Sequence, residues 1–248
     1  MDSYSCGIVL DEEMVSMLMR KITGVKAISF DGDGTLWDFD KSMRNALSMV
    51  LKELEEIDPE AAGMLDIDKM IAIRDRVAGE MQPGITDPLA IRLNAFRQTL
   101  IDTGRPSITL AAHLNRVYLR HRQKNPYVFN DALPTLDILK EKYKIGLLSN
   151  GNTYPGQCGL DNAFSFIVLS QDYGVKKPDA EIFRIALEKS GCSKDEMLHV
   201  GDSLEEDVIG ASKAGIKCIW LNRSQAKRES DIRIDYEIGC LSEIFQIL

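Results

Sequence analysis

The feature that most constrains the fold is a rhythm of short apolar runs separated by stretches with helical spacing. Lys26–Asp31 reads Lys-Ala-Ile-Ser-Phe-Asp, and similar runs recur at 145–149, 166–170, 197–201 and 218–222. Between them, Leu133, Leu136 and Leu139, and again Ile182, Ile185, Ala186 and Lys189, fall on single helical faces. Buried runs alternating with amphipathic helices define βαβ units and predict an α/β fold with a doubly wound parallel sheet. Most runs lead into a polar residue, which suits side chains presented at the carboxyl edge of such a sheet.

The rhythm breaks between about residues 40 and 125. No strand pattern occurs there, and helical candidates cover about 41–57, 67–81, 88–103 and 107–123, punctuated by Pro59, Pro83-Gly84, Pro88, Gly104 and Pro106. The reading divides the chain into an N-terminal extension (1–23), an α/β core (24–40 and 126–248) and an inserted helical cap domain (41–125). The plainer alternative is that these helices only cover the sheet.

A formal charge of −8 argues against a nucleic-acid polymer or an anionic membrane as partner, because both favour positive surfaces. A small anionic substrate stays compatible, since a bound cation reverses the field in one cleft. Cys6, Cys158, Cys192, Cys218 and Cys240 are scattered, odd in number and form no CxxC pair, which predicts reduced thiols. No basic segment precedes an apolar run near the N-terminus, and no run reaches the ~18 apolar residues of a membrane span. These features predict a cytoplasmic protein; oligomeric state is not legible.

The strongest local signal is Phe30-Asp31-Gly32-Asp33-Gly34-Thr35-Leu36. A strand delivers Asp31 to its end, and Gly32 and Gly34 permit a tight turn with backbone N–H groups near an anion. Two crowded acids do not both ionise easily, so one can act as nucleophile while the other is held protonated. An acidic turn or calcium loop is the competing reading. Ser149-Asn150-Gly151 adds a hydroxyl and an amide at the end of a second strand, although such a tripeptide also makes ordinary turns. Lys176-Lys177-Pro178 precedes a helix, and the pair could equally be solvated. Gly201-Asp202 through Asp207 joins a strand to a helix with oxygen ligands suited to a hard ion such as Mg²⁺, or with acids that merely favour the helix N-terminus.

These elements, in this order, resemble the haloacid dehalogenase superfamily of phosphohydrolases. The resemblance spans about residues 24–40 and 127–248, with Tyr236–Ile238 and Leu241–Ile244 similar to the family's last strand and helix. It implies a HAD-like core and a phosphatase cleaving a small-molecule phosphomonoester. Asp31 would attack phosphorus to form an aspartyl-phosphate, and Asp33 would protonate the leaving oxygen and then activate water. Mg²⁺ would be held by the Asp31 carboxylate, the Asp33 backbone carbonyl and Asp202. Gly32, Ser149, Asn150 and Lys177 would bind the phosphoryl group, while Thr35 steadies the loop and Asp207 orients water or Lys177.

Many relatives carry asparagine where this chain has Glu206, which is read as facing solvent and is left out of the ligand set. Trp37 is read either as lining the mouth of the site or as core, and His199 as core. Rival activities are phosphosugar mutase, 2-haloacid dehalogenase and a non-catalytic phosphate-binding module on the same fold. The resemblance implies for dehalogenases no metal and no acid at the Asp33 position, and both features run against them here.

Overall fold

The computed structural model describes residues 21–81, 88–124, 127–227 and 232–248. Six parallel strands form one sheet: β1 (Ala27–Phe30), β2 (Lys144–Ser149), β3 (Phe166–Leu169), β4 (Met197–Gly201), β5 (Lys217–Leu221) and β6 (Tyr236–Ile238). Their order is β3-β2-β1-β4-β5-β6. The order therefore reverses between β1 and β4, the switch point at which open α/β sheets bind ligands.

Successive strand residues feed two different cores, which is why the strands read as unbroken apolar runs. Ile28, Phe30, Ile145, Leu147, Leu198 and Val200 pack on one face with Leu136 and Leu139 of a helix spanning Ala132–Leu139. Ala27, Leu148, Val168, Met197 and Trp220 pack on the other with Ile182 and Phe183 of the helix Ala180–Ser190. Each fully buried valine, leucine, isoleucine, methionine or phenylalanine among them contributes about 1.5–3 kcal/mol of transfer free energy. Helices on both faces make the sheet doubly wound, as the alternating pattern predicts.

Between β1 and β2 the chain forms α1 (Phe39–Ile57), α2 (Pro59–Gly63), α3 (Ile67–Glu80), α4 (Pro88–Asp102) and α5 (Ile108–Lys124), followed by the β2-preceding helix, α6 (Ala132–Leu139). Helix α1 starts where Asp38 caps it, its Oδ1 accepting from the Lys41 amide at 2.9 Å. Met43, Ala46, Leu47, Val50 and Leu54 then face inward at helical spacing, against Phe96 and Leu100 of α4 and Leu114 and Tyr118 of α5. This helical block thus has a core of its own.

Two expectations change in detail. Pro59 starts the short α2 instead of only breaking the chain, with Asp58 accepting from the Ala61 amide at 3.0 Å; proline suits the first helical turn because its missing N–H is unneeded there. The N-terminal extension was expected to run through residue 23, yet Ile22 is buried in the sheet core and its N–H donates to the Ile247 carbonyl at 2.7 Å. Residues 1–20 lie outside the described residues.

Beyond β3 come α7 (Ser170–Tyr173), α8 (Ala180–Ser190), a wide π-type turn over Leu204–Ile209 that leads into α9 (Gly210–Lys213), and α10 (Ile244–Ile247). Among the described residues, no helix is long and apolar enough to cross a membrane. Cys158, Cys192, Cys218 and Cys240 are free thiols; Cys6 lies outside the described residues.

Candidate active site

Strand register gathers the polar residues. Phe30 is level with Leu147 of β2 and Val200 of β4, so Asp31, Ser149 and Asp202 emerge on one sheet edge. The Asp31 amide continues the ladder one step further, donating to the Val200 carbonyl at 2.8 Å.

The turn after β1 closes tightly. The Gly32 carbonyl accepts from the amides of Leu36 (2.9 Å) and Trp37 (3.1 Å). A Cβ on Gly32 would lie 2.4 Å from the Trp37 ring, and Gly34, at φ +87°, would bring one within 2.3 Å of Asp202 Oδ2. Glycine at Gly34 therefore answers both to a left-handed backbone and to the close approach of an acid. Trp37 is core, buried to 2% exposure, but its indole also donates to Asp33 Oδ1 at 2.5 Å. It holds the second acid from beneath.

Lys177 is the hub. Its ammonium lies 2.6 Å from Asp31 Oδ1 and 2.6 Å from Asp207 Oδ1, and the whole side chain is buried. Burial works against the charged amine, but Asp207 and Asp31 outweigh it and raise its pKa above the ordinary value. Asp31 Oδ2 accepts no hydrogen bond among the described residues. It is the oxygen left open for chemistry.

The carboxylates respond to burial and to one another. Burial, then the charges of Asp207 and Asp202, hold the Asp31 pKa well above the usual carboxylate range, against the pull of Lys177. Burial also raises Asp33, opposed by the Trp37 hydrogen bond and by Arg122 and Lys177. Asp202 is pushed up to about 6 by burial and Asp207. At Asp207 burial is overcome by Lys177 and by the His199 hydrogen bond, which hold it below the usual range. These environments favour the charged form at Asp207 and oppose it at Asp31, Asp33 and Asp202.

One ligand oxygen from each of Asp31, Asp202 and Asp207 can lie within 4.8 Å of the others. At 4 Å, each pair of unit charges repels by about 4 kcal/mol at an effective dielectric of 20. Lys177 supplies one positive charge to these three acids. A hard divalent ion fits what remains, because every donor is oxygen and the cluster still carries excess negative charge. Thr35 Oγ1 donates to Asp202 Oδ1 at 3.3 Å, and the Trp220 indole donates to the Asp202 carbonyl at 2.9 Å, so both side chain and backbone of Asp202 are held.

Several expected contacts take a different form. Asn150 was assigned to phosphoryl oxygens, but its side chain clamps the Lys177 backbone: Nδ2 donates to the Lys177 carbonyl at 3.0 Å and Oδ1 accepts from its amide at 2.8 Å. Ser149 Oγ accepts from the Gly151 amide at 3.0 Å and keeps its hydroxyl proton for another acceptor. Glu206 does not face bulk solvent. It is half-buried in the wall of the site cavity, and burial raises its pKa; the π-type turn rotates it inward.

Two residues beneath the site carry more than their sequence context revealed. His199, a core strand residue as expected, places one ring nitrogen 2.9 Å from Asp207 Oδ1 and the other 2.8 Å from Ser29 Oγ. Burial lowers its pKa, so the ring is neutral, donating to Asp207 and accepting from Ser29. Arg223 donates to the Thr35 carbonyl at 2.9 Å while pairing with both Asp131 oxygens at 2.9 Å, tying the exit of β5 to the turn after β1. An alternating polar pair, Ser29 and His199, at matched register was the available signal for the first; nothing local in sequence marks the second.

A doubly wound parallel sheet with acids gathered at its switch point defines an α/β protein whose strand ends carry an acidic site. The family profile of the haloacid dehalogenase-like hydrolases matches residues 25–215, and the chain belongs to that family. It is 28% identical over 208 residues to the 5-amino-6-(5-phospho-D-ribitylamino)uracil phosphatase YigB of Escherichia coli, covering 82% of this chain and 85% of that protein. It is 27% identical to a glyceraldehyde 3-phosphate phosphatase of Methanopyrus kandleri, covering 90% and 97%. A solved structure described as a 2-haloacid dehalogenase from Pseudomonas syringae superposes with a TM-score of 0.75 at 30% identity, covering 90% of this chain and 97% of that one.

Proposed function

We propose that this phosphoric monoester hydrolase acts on a small-molecule phosphate ester with Mg²⁺, through an aspartyl-phosphate on Asp31. The observation that carries the reading is the bridge from Lys177 to both Asp31 and Asp207, with Asp202 alongside. It leaves Asp31 with one open carboxylate oxygen at a point where positive charge can meet a phosphate.

In the first step Asp31 Oδ2 attacks phosphorus in line, the ester P–O bond breaks, and protonated Asp33 gives its proton to the departing alcohol oxygen. In the second, Asp33 takes a proton from water, whose oxygen attacks phosphorus. The bond from phosphorus to Asp31 breaks, inorganic phosphate leaves and the carboxylate is restored. Lys177 balances charge between nucleophile and phosphoryl group, and Ser149 donates to a phosphoryl oxygen. Asp31, the Asp33 carbonyl and Asp202 would hold Mg²⁺, which supplies the remaining countercharge.

Asn150 and Asp207 position Lys177, and Thr35 and Gly34 position Asp202. The helical block, with its own core, acts as a cap that closes the site from water and meets the leaving group.

The dehalogenase reading gains weight from the structural neighbour, but an acid at Asp33, braced by Trp37, has work only where a leaving oxygen needs a proton. The test is hydrolysis of a chromogenic aryl phosphate by the full chain. Activity is expected with Mg²⁺, its loss on chelation and its return on re-addition, and at least a thousandfold loss in Asp31→Asn. Full turnover in chelator, or in that variant, contradicts the proposal.

A further inference from the structure

The acids form the floor of a cavity of about 500 Å³ whose remaining wall comes from the helical block. This is the volume of pockets that enclose a ring-bearing ligand, and it far exceeds what a phosphoryl group and a short acyclic tail would fill. The wall is mainly apolar, with Met43, Met70, Ile71 and Phe96 prominent. Thioethers and aromatic rings adapt well to a flat partner.

The polar groups in the wall are mostly donors. Arg74 is already paired with Asp75, at 2.5 Å and 2.9 Å. Arg92 donates to Asn115 Oδ1 at 3.0 Å and lies 5.5 Å over the Tyr118 ring. Arg122 donates to Asn152 and Thr153 and lies over Phe39. Tyr118 is 4% exposed, its ring packs edge-on against Phe96 at 6.0 Å, and its hydroxyl has no hydrogen-bond partner among the described residues. Tyr118 lines the cavity and its hydroxyl is not sealed away from it, so the phenol offers an occupant of the cavity a donor that no other described side chain uses.

We propose that the leaving group of the substrate carries a flat, acceptor-rich ring, of the kind found in a pyrimidine nucleotide, with a ring acceptor accepting a hydrogen bond from the Tyr118 hydroxyl. The inference rests on the phosphatase reading above and adds the leaving group's chemistry. A short carboxylated alcohol would leave the apolar wall wet and the Tyr118 hydroxyl bonded to water instead of to substrate.

The experiment compares kcat/KM of the Mg²⁺-loaded full chain on uridine 5′-monophosphate, phosphoserine, 3-phosphoglycerate and acetyl phosphate. Uridine 5′-monophosphate is expected to exceed both carboxylated esters by at least tenfold. Tyr118→Phe, which keeps the ring packing, is expected to lower the ratio of uridine 5′-monophosphate to acetyl phosphate about tenfold, chiefly through KM, the usual order for one lost hydrogen bond. Preference for the carboxylated esters, or an unchanged ratio in Tyr118→Phe, overturns the ring assignment and leaves the phosphatase reading standing. Absence of hydrolysis on every compound, acetyl phosphate included, overturns both.

Discussion

His199 supports the site from below without reaching it. Its ring donates to the Asp207 oxygen that also receives Lys177, so it fixes where the ammonium points toward Asp31. We expect His199→Leu to lower kcat about 10- to 100-fold with KM little changed, as removal of such outer partners does elsewhere. His199→Gln, which can still donate, should recover part of the loss. Steady-state kinetics check this; equal losses in both variants would mean that His199 only fills space. The clustering of the acids was legible because Asp31 and Asp202 each follow an apolar run, and those runs mark the strand ends. His199 was read as core because burial and function coincide there. Glu206 was misplaced because its direction depends on a turn wider than an α-helix, which side-chain spacing does not encode.

At the scale of elements, loop-to-strand ties decide whether the acidic turn after β1 stays put. Arg223 bonds Asp131 twice and the Thr35 carbonyl once, and Asp131 also accepts from the Leu241 amide at 2.8 Å. Burial opposes the Asp131 charge, but Arg223 and that amide lower its pKa below the usual value. Replacing Arg223 by Met should therefore destabilise the protein by about 2 kcal/mol, within the range for hydrogen bonds to charged groups. Asp131 is ionised above its unfolded pKa, so this contribution is present at neutral pH and fades as pH falls through the lowered folded value. Denaturant melts of both proteins at neutral pH and in acid would show it; equal stability at neutral pH contradicts the tie. The longer helices of the block were visible in sequence because apolar spacing and proline punctuation agree. The link from β5 to the turn was not, because residues 131 and 223 meet only once the sheet has formed.

For the whole molecule, the parallel sheet could be read from the alternation of runs and helices, whereas the strand order could not: every run is apolar, and order emerges from crossovers. That order brings Asp31 and Asp202 to adjacent strand ends and concentrates negative charge there. Mg²⁺ should then stabilise the fold by mass action. The folded pKa of Asp202, about 6, lies above its ordinary value, so the metal-free protein binds an extra proton and gains stability as pH falls from about 6 toward 4. Protons and Mg²⁺ compete, and the rise in Tm on adding Mg²⁺ should be larger at pH 7.5 than at pH 5; thermal melts giving equal shifts would contradict metal binding at Asp202. The most direct measurement concerns Asp31 itself. The full chain, turning over acetyl phosphate with Mg²⁺, is quenched in acid, reduced with borohydride and mapped by mass spectrometry. Reduction of an acyl phosphate to an alcohol at position 31, and its absence without substrate, is predicted. An unmodified Asp31 in an enzyme caught while phosphate is being released, with the acyl phosphate found on another residue, would contradict the account.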